Sequence, residues 1–361
     1  MNYLDKSYEG KKVLITGHTG FKGSWLSLWL KNVGADVLGI SNEVPTVPSN
    51  FEASNLSNLI TDIRFKLPNT NEVKKVINKF EPDFIFHLAA QALVKNSFKS
   101  PLITMTSNAL GSASILEALI DYKKSVSVVM ITSDKVYNNL EWQWGYKETD
   151  ELGGKDPYSA SKGMAELAIK SMVHSFFSMK DSSVRIAIAR AGNVIGGGDW
   201  AKDRIVPDTI RSASKEKSVG IRSLSSTRPW QHVLEPLSAY LLLGSELSNY
   251  AIDNGEAYNF GPNPDNNFSV KDLLCEMSKN WDKISWHEVE SDDFSESRLL
   301  KLNIDKAMMD LQWKPTLSFA ATVKLTVDWY KEYYSQQSKD MSYFSMNQIN
   351  EFITASRNRY Y

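Results

Sequence analysis

The sequence is poor in features that would mark several classes of protein. Among its 361 residues there is a single cysteine, Cys275, so no disulfide can form within the chain and metal sites built on several cysteines are excluded. It has no run of about 18 apolar residues that would predict a transmembrane helix. Residues 1–10 are polar and lack the apolar segment of a signal peptide. We therefore expect a cytoplasmic protein that neither spans a membrane nor holds a metal.

An excess of charge of one sign is also missing. Lysine and arginine together number 41, and aspartate and glutamate number 42. Proteins that bind nucleic acid through their overall field carry a basic excess, so we expect no nucleic-acid partner. The 42% hydrophobic composition suits one large α/β unit, or a domain with a smaller lobe.

The first half of the chain alternates short apolar runs with stretches of helical periodicity. Predicted strands are 12–16, 36–40, 83–89, 126–132 and 184–189, and predicted helices are 24–33, 72–80, 102–122 and 159–178. Continuous apolar strands separated by amphipathic helices indicate a parallel sheet covered on both faces. The alternation weakens after residue 191, where glycines and prolines indicate a less regular lobe. The expected fold is a Rossmann-like, doubly wound parallel sheet with a smaller, mixed α/β C-terminal lobe.

A glycine-rich segment follows the first predicted strand and opens a helix. Its residues are Gly17, His18, Thr19, Gly20, Phe21, Lys22 and Gly23. The glycines permit a tight turn, close approach of a pyrophosphate and close packing of helix on strand, while the helix amino terminus favours the phosphate charge. We predict that these seven residues bind a dinucleotide. The G-x-x-G-x-x-G spacing resembles the fingerprint of the short-chain dehydrogenases/reductases.

The ends of the next strands bear on the choice of cofactor. The second strand leads to Ser41 and Asn42 instead of the usual ribose-binding acid, and no Lys or Arg lies between Asn32 and Asn50. NAD is the expected cofactor, and NADP stays open. The resemblance implies further cofactor contacts from Asp62 and Ile63, and from a run at the end of the fourth strand, Ala89, Ala90 and Gln91.

A candidate catalytic set follows. Tyr158 and Lys162 are four residues apart at the start of a predicted helix, and this spacing places them on one face. A nearby ammonium group lowers the pKa of a phenol toward that of a useful base. Thr132 stands at the end of the preceding strand and is the predicted third member.

Residues 132–137 extend this set in a distinctive way. The run Thr-Ser-Asp-Lys-Val-Tyr resembles the T-S-D-K-x-Y pattern of CDP-glucose 4,6-dehydratases, an extended branch of the short-chain family related to NAD-dependent epimerases. Further similar runs extend the resemblance over residues 8 to 335. It implies that Tyr158 deprotonates the 4-hydroxyl of the sugar, assisted by Thr132, while Lys162 tunes Tyr158. Asp134 is the implied acid for the leaving 6-hydroxyl, and Lys135 the implied base at carbon 5 or a residue that only orients its neighbours.

The resemblance also implies the substrate, the domains and the assembly. The substrate is CDP-glucose, converted to its 4-keto-6-deoxy derivative and water in deoxysugar biosynthesis for cell-surface polysaccharides such as O-antigen. Expected substrate-binding residues are Asn193, Trp200, Arg204, Arg228 and Glu296. The NAD-binding domain is expected at 8–190 with parts of about 229–262, the substrate lobe at about 191–228 and 263–335, and a C-terminal tail at 336–361. A homodimer or homotetramer is expected, paired through the helices at 102–122 and 159–178.

Three alternatives remain open from the sequence. The first is a 4,6-dehydratase of another nucleotide hexose. The second is a nucleotide-sugar 4-epimerase or 4-ketoreductase, for which Asp134 and Lys135 would have no purpose. The third is a catalytically silent NAD-binding regulator, against which the intact set of Thr132, Tyr158 and Lys162 argues.

Overall fold

The computed structural model describes residues 3–178, 182–263, 266–290, 299–335 and 340–357. Within these ranges the strands are β1 (Lys12–Thr16), β2 (Asp36–Ser41), β3 (Thr61–Arg64), β4 (Phe84–His87), β5 (Val126–Ile131), β6 (Val184–Ala191), β7 (Val194–Ile195), β8 (Val219–Ile221), β9 (Thr227–Arg228), β10 (Gln231–His232), β11 (Ala257–Phe260), β12 (Phe268–Ser269) and β13 (Trp286–Glu288). The helices are α1 (Tyr3–Tyr8), α2 (Phe21–Asn32), α3 (Asn50–Ala53), α4 (Thr70–Phe80), α5 (Val94–Lys99), α6 (Pro101–Met105), α7 (Gly111–Glu117), α8 (Pro157–Met172), α9 (Ile205–Ala213), α10 (Leu234–Ser248), α11 (Val270–Asn280), α12 (Asp305–Asp310), α13 (Phe319–Ser335) and α14 (Ser342–Arg357).

Seven strands form one parallel sheet in the order β11-β6-β5-β4-β1-β2-β3. The inner strands β1, β4 and β5 are almost wholly buried, as expected where helices cover both faces of a sheet. The chain crosses from β3 to β4 on the other side of β1. Ligands of doubly wound sheets bind beyond the carboxyl ends of the strands at such a switch point. The predicted fold class is confirmed.

The element boundaries follow from local chemistry. β1 has the predicted bounds, and the other predicted strands are correct to within three residues at each end. Helix α4 begins after Asn69, whose side chain accepts a hydrogen bond from the Glu72 amide. The predicted helix at 102–122 is α6, a π-helical turn at residues 106–110, and α7, which ends at Glu117.

Small pairs of strands build the remaining lobe. The pairs are β7 with β10, β8 with β13, and β9 with β12. Its core is aromatic: Trp200 packs against Trp329 and Tyr333, with ring centroids 5.6 and 4.8 Å apart.

The region expected as a tail contains a packed helix. In α14, Phe352 makes an edge-to-face contact with Trp29 of α2, with centroids 5.7 Å apart. Ser345 accepts a hydrogen bond from the Trp329 indole at 2.8 Å. This helix therefore covers the outer side of α2, the helix that follows the glycine-rich turn. Among the described residues, no helix is both long and apolar enough to cross a membrane.

Candidate active site

The turn between β1 and α2 has no room for added side chains. Gly17 has a left-handed backbone (φ 78°), and a Cβ there would lie 2.7 Å from the amide nitrogen of Ala89. A Cβ at Gly23 would overlap the carbonyl oxygen of Gly17. Helix α2 begins at Phe21, directly after the turn, so its first N–H groups lack intrahelical acceptors at the carboxyl end of the sheet. The turn fits the diphosphate of a dinucleotide.

We expect Gly17→Ala to weaken NAD binding about tenfold or more, because the added methyl group pushes β4 away from the turn. Gly10→Ala is the matched control: Gly10 is also left-handed (φ 70°), but a Cβ there meets no atom within 4 Å. Both variants bear the same backbone strain of about 1–2 kcal/mol. Isothermal titration of each variant with NAD measures the difference, and equal affinities would contradict the expectation.

His18 braces the glycine-rich turn from within. Its ring is buried and packs on Gly39 of β2, and Nε2 lies 2.9 Å from Oδ1 of Asp62. Burial lowers the pKa of this histidine, although Asp62 opposes the effect. Arg64 binds the same carboxylate, with Nε 2.7 Å from Oδ1. Strand pairing sets Arg64 beside Ser41 at the end of β2. Arg64 is distant from this strand in sequence, so the sequence did not indicate a cation at its end.

The residues after β4 line the neighbouring part of the cleft. Ala89, Ala90 and Gln91 are half-buried. The Ala89 amide donates to Thr16 Oγ1 at 3.3 Å, and the Gln91 side-chain amide donates to Thr104 Oγ1 at 3.0 Å. Small side chains therefore leave the backbone open to a ligand, while Gln91 ties this segment to α6.

Other predicted cofactor residues secure the surroundings of the turn. The Thr19 hydroxyl donates to the Glu43 carbonyl oxygen at 2.7 Å. Phe21 is partly buried against the core that lies on its own face of the sheet, whereas Ile63 packs against the core on the other face. Thr19 and Phe21 thus help to hold the turn in place, whereas Ile63 belongs to the core on the other face of the sheet.

Tyr158 and Lys162 lie at the start of α8, one turn apart. Asp156 caps this helix, and its carboxylate accepts hydrogen bonds from the amides of Tyr158 and Ser159, both at 3.0 Å. Both predicted catalytic side chains are buried. Burial raises the pKa of Tyr158 to about 12, while a hydrogen bond with the Ser133 side chain acts in the opposite direction. Burial lowers the pKa of Lys162 to about 8, against the charge of Glu166.

Ser133, and not Thr132, is the hydroxyl residue beside Tyr158. The Thr132 hydroxyl donates to Glu166 Oε1 at 2.7 Å in the protein interior. The Ser133 side chain is close enough to Tyr158 to lower the pKa of its phenol, against the effect of burial. The residue predicted as the third member of the set is therefore one position too early in the chain. Every residue of β5 is buried up to its end at Ile131. The burial pattern of the strand thus does not show which of the following side chains faces Tyr158.

Asp134 and Lys135 form a short 3₁₀ turn against Tyr158. Ser133 caps this turn: its hydroxyl accepts from the Lys135 amide at 3.2 Å and donates to Asp134 Oδ1 at 2.9 Å. Asp134 is buried beside Gly192, where a Cβ would lie 3.4 Å from Oδ2. Lys135 is half-buried. The turn thus brings the Asp134 carboxylate to the candidate acid–base centre, where its charge acts on the pKa of Tyr158.

Positive charge converges on this centre from three elements. Lys22 of α2 interacts electrostatically with Lys162 of α8, with Arg204 before α9 and with Asp134. Arg204 also interacts with Tyr158. Burial lowers the pKa of Lys22 to about 8, and the charges of Lys162 and Arg204 add to this effect. Such a pocket favours an anionic ligand even though the whole chain is nearly neutral.

The predicted substrate residues do not all lie at this pocket. Arg204 is paired with Asp199 at 2.8 Å and is close enough to Tyr158 to affect its pKa. Asn193 is half-buried directly after β6. Arg228 lies on β9, and its Nη1 donates to the Thr227 carbonyl oxygen at 2.8 Å. Arg204 is thus the predicted phosphate ligand that these contacts tie to the catalytic set.

The prediction that Trp200 binds substrate is not supported by its position. Its side chain is 3% exposed and packs within the aromatic core of the lobe, where its indole N–H donates to Tyr334 at 3.3 Å. The sequence could not separate a stacking tryptophan from a core tryptophan, because both suit a large apolar ring. Glu296, the remaining predicted substrate residue, lies outside the described residues.

The Rossmann sheet, the glycine-rich turn and the Tyr158–Lys162 pair define a nucleotide-dependent protein of the short-chain dehydrogenase/reductase class. Residues 14–326 match the family model of GDP-mannose 4,6 dehydratase, and the chain belongs to this family. The CDP-glucose 4,6-dehydratase of Salmonella typhimurium is 41% identical over 98% of this chain and 99% of that protein. The CDP-paratose 2-epimerase of Salmonella typhi is 26% identical over 88% of this chain and 98% of its own length.

Solved structures show the same fold at low sequence identity. The dTDP-glucose 4,6-dehydratase of Streptomyces venezuelae superposes with a TM-score of 0.74 at 21% identity, covering 89% of this chain and 97% of that one. The UDP-glucose 4-epimerase of Stenotrophomonas maltophila gives a TM-score of 0.77 at 20% identity, covering 89% and 98%.

Proposed function

We propose that this protein is an NAD-dependent hydro-lyase, a CDP-glucose 4,6-dehydratase. It converts CDP-glucose to CDP-4-keto-6-deoxyglucose and water, a step in the biosynthesis of deoxysugars for cell-surface polysaccharides. The 41% identity to the Salmonella typhimurium CDP-glucose 4,6-dehydratase, over nearly the full length of both chains, carries this proposal. The position of Asp134 beside Tyr158, with Lys135 next to it in the chain, supports dehydration over simple epimerisation.

NAD fits the cleft at the carboxyl ends of β1 and β4. The turn at Gly17 would place no side-chain bulk against its diphosphate, and Lys162, one helical turn from Tyr158, would help to hold it. Bound there, NAD would supply the acceptor for the hydride of carbon 4 of the sugar and the donor of a hydride to carbon 6.

The first half of the reaction uses Tyr158, Lys162 and Ser133. Tyr158 removes the proton of the 4-hydroxyl as carbon 4 is oxidised, and protonated Lys162 favours the phenolate form of Tyr158. The Ser133 hydroxyl turns from Asp134 and donates a hydrogen bond to the same hydroxyl oxygen. Burial raises the pKa of free Tyr158 to about 12, so these two partners are needed to make it a base near neutral pH.

The second half uses the turn after Ser133. The ketone at carbon 4 acidifies the proton on carbon 5, which Lys135 removes. Asp134 gives a proton to the departing 6-hydroxyl, so that water leaves. Lys135 then returns its proton to carbon 5, and the proton that Tyr158 took from the 4-hydroxyl passes through solvent to restore that of Asp134. Arg204 and Lys22 hold the negative charge of the nucleotide diphosphate near this centre, with Asn193 and Arg228 as further ligands.

The proposal includes two domains and a homo-oligomer. The NAD-binding domain comprises residues 8–190 with parts of about 229–262, and the substrate lobe comprises about 191–228 and 263–335. Apolar side chains are exposed on the helices expected to pair, namely Leu102, Ile103, Leu110, Met164, Leu167 and Phe176. A homodimer or a dimer of dimers through these helices, acting in the cytoplasm, accounts for them.

The deciding experiment supplies the purified protein with NAD, without reductant, and with CDP-, dTDP-, UDP- and GDP-glucose in separate reactions. Mass spectrometry then shows which nucleotide sugar loses one water. We expect CDP-glucose to lose one molecule of water at a rate at least about tenfold above that of the other nucleotide sugars.

The other outcomes are equally informative. Loss of water from another nucleotide hexose alone would overturn the cytidine assignment and keep the reaction. A change of sugar configuration without loss of mass would replace dehydration by epimerisation. No change in any substrate would leave a cofactor-binding protein without this activity.

A further inference from the structure

Two hydroxyl groups bracket the turn that carries the candidate acid and base. Thr132 lies immediately before Ser133-Asp134-Lys135-Val136, and Tyr137 immediately after. Thr132 Oγ1 donates to Glu166 Oε1 at 2.7 Å. Tyr137 Oη accepts from Arg190 Nη1 at 2.6 Å. Both ends of the turn are therefore tied to one pair of side chains, and we call these four residues the turn clamp.

The pair at the centre of the turn clamp is fully buried. Arg190 and Glu166 are both 0% exposed, and the guanidinium group binds the carboxylate through two hydrogen bonds, Nε to Oε1 at 2.7 Å and Nη2 to Oε2 at 2.5 Å. Bidentate pairing of this kind fixes the planes of both groups. A rigid pair is a suitable anchor for the hydroxyl groups that bind to it.

The tyrosine end of the turn clamp is also fixed from the opposite side. Tyr137 donates to Asn259 Oδ1 at 2.7 Å, and the Asn259 amide group donates to the carbonyl oxygens of Tyr146 and Asn303 at 2.9 and 3.1 Å. The Arg190 guanidinium also lies over the Tyr137 ring, 4.9 Å from its centroid. Tyr137 consequently has little freedom to rotate or shift.

Every member of the turn clamp is close in sequence to a residue of the candidate active site. Thr132 precedes Ser133. Glu166 lies one helical turn after Lys162 and raises its pKa, against the effect of burial. Arg190 lies near the end of β6, shortly before Asn193. Any shift of the buried pair would therefore move all sides of the catalytic centre together.

From this geometry we infer that Thr132, Tyr137, Glu166 and Arg190 are positioning residues, which hold Ser133, Asp134 and Lys135 in register with Tyr158 and Lys162. The catalytic part of this inference rests on the proposed function. The mechanical part, that the hydroxyl of Tyr137 restrains the turn, does not.

The test compares two tyrosine-to-phenylalanine variants of stacked neighbours. Tyr137→Phe removes a hydroxyl from the turn clamp. Tyr146→Phe, the control, removes a hydroxyl whose partners within the described ranges are Asn139 and the Leu140 amide, although its ring stacks on Tyr137 at 5.1 Å. Hydrogen exchange of peptides spanning residues 132–138, which exclude the partners of the Tyr146 hydroxyl, is measured in the cofactor-free protein, together with thermal unfolding, the affinity for NAD, kcat and KM.

We expect exchange of this segment to increase about tenfold in Tyr137→Phe, with little change elsewhere. Its kcat should fall about tenfold, while KM and the dissociation constant of NAD stay within about twofold. Tyr146→Phe should match the unaltered protein in each measurement. Thr132→Val, which releases the other end, should resemble Tyr137→Phe.

Three results would overturn the inference. They are equal exchange in the two tyrosine variants, faster exchange throughout the chain of Tyr137→Phe, and faster local exchange without loss of kcat. If the unaltered protein converts no nucleotide sugar, the proposed function fails, and the exchange measurement still decides whether the hydroxyl of Tyr137 restrains the turn.

Discussion

Replacing Tyr158 by phenylalanine is expected to lower turnover of the nucleotide sugar by about 10²–10⁴-fold. The substitution removes only the phenolic oxygen, and among the described residues no other phenol lies beside Ser133 and Asp134 to accept the proton of the 4-hydroxyl. Lys162 cannot replace it, because its ammonium group must stay protonated to stabilise the negative charge that develops. The rate of water loss under saturating substrate, measured by mass spectrometry, gives the effect on kcat.

The control for this variant is a second tyrosine that lies far from the cleft. The Tyr122 hydroxyl is buried without a hydrogen-bond partner among the described residues, near Glu81 and Asp83 at the amino-terminal edge of the sheet. Tyr122→Phe should keep full turnover. NAD affinity should be retained in both variants, since the glycine-rich turn is untouched. A Tyr158→Phe enzyme with more than about a tenth of the original kcat would contradict the role of Tyr158 as base.

Much of this centre was predictable because its features are local in sequence. The glycine-rich turn follows a strand and precedes a helix, and these neighbours alone indicate a diphosphate site. Tyr158 and Lys162 are four residues apart on a helix, so their common face follows from the helical period. The strands of the sheet are continuous apolar runs, which is why the bounds of β1 were predicted correctly.

The features that sequence missed depend on contacts between distant segments. Ser133 and Thr132 are adjacent, and only the hydrogen bond of Thr132 to Glu166 of α8 shows which hydroxyl is left for Tyr158. Arg64 reaches the end of β2 through strand pairing. Trp200 was assigned to the substrate because its ring suits a nucleobase, but partners from α13 place it in the core.

Contacts between distant segments also account for Glu166 and Tyr137, to which the sequence analysis assigned no role. Glu166 and Tyr137 belong to the runs that resemble other dehydratases, yet neither faces the cleft. Both bind Arg190, which is the buried one of the two arginines in β6. A buried charge at this position is costly unless it is paired, so Arg190 and Glu166 constrain each other strongly.

Arg190→Met should therefore destabilise the protein by about 3–5 kcal/mol, because it leaves the Glu166 carboxylate buried without its cation. Urea unfolding of the cofactor-free protein measures the loss. The matched control is the exposed pair of Lys324 and Asp328 on α13. Lys324→Met should cost no more than about 0.5 kcal/mol, the usual contribution of such a pair on a helix surface. A similar cost in the two variants would contradict the importance of burial.

The double variant Arg190→Met with Glu166→Leu separates stability from positioning. With both charges removed, most of the lost stability should return, since apolar replacements of a buried pair are often neutral. Turnover should stay about tenfold or more below that of the unaltered enzyme, because Thr132 and Tyr137 still lack their common anchor. If turnover recovered together with stability, the pair would serve the fold alone. Recovery of stability without turnover would show that the arginine is kept in the sheet to hold the turn beside Tyr158.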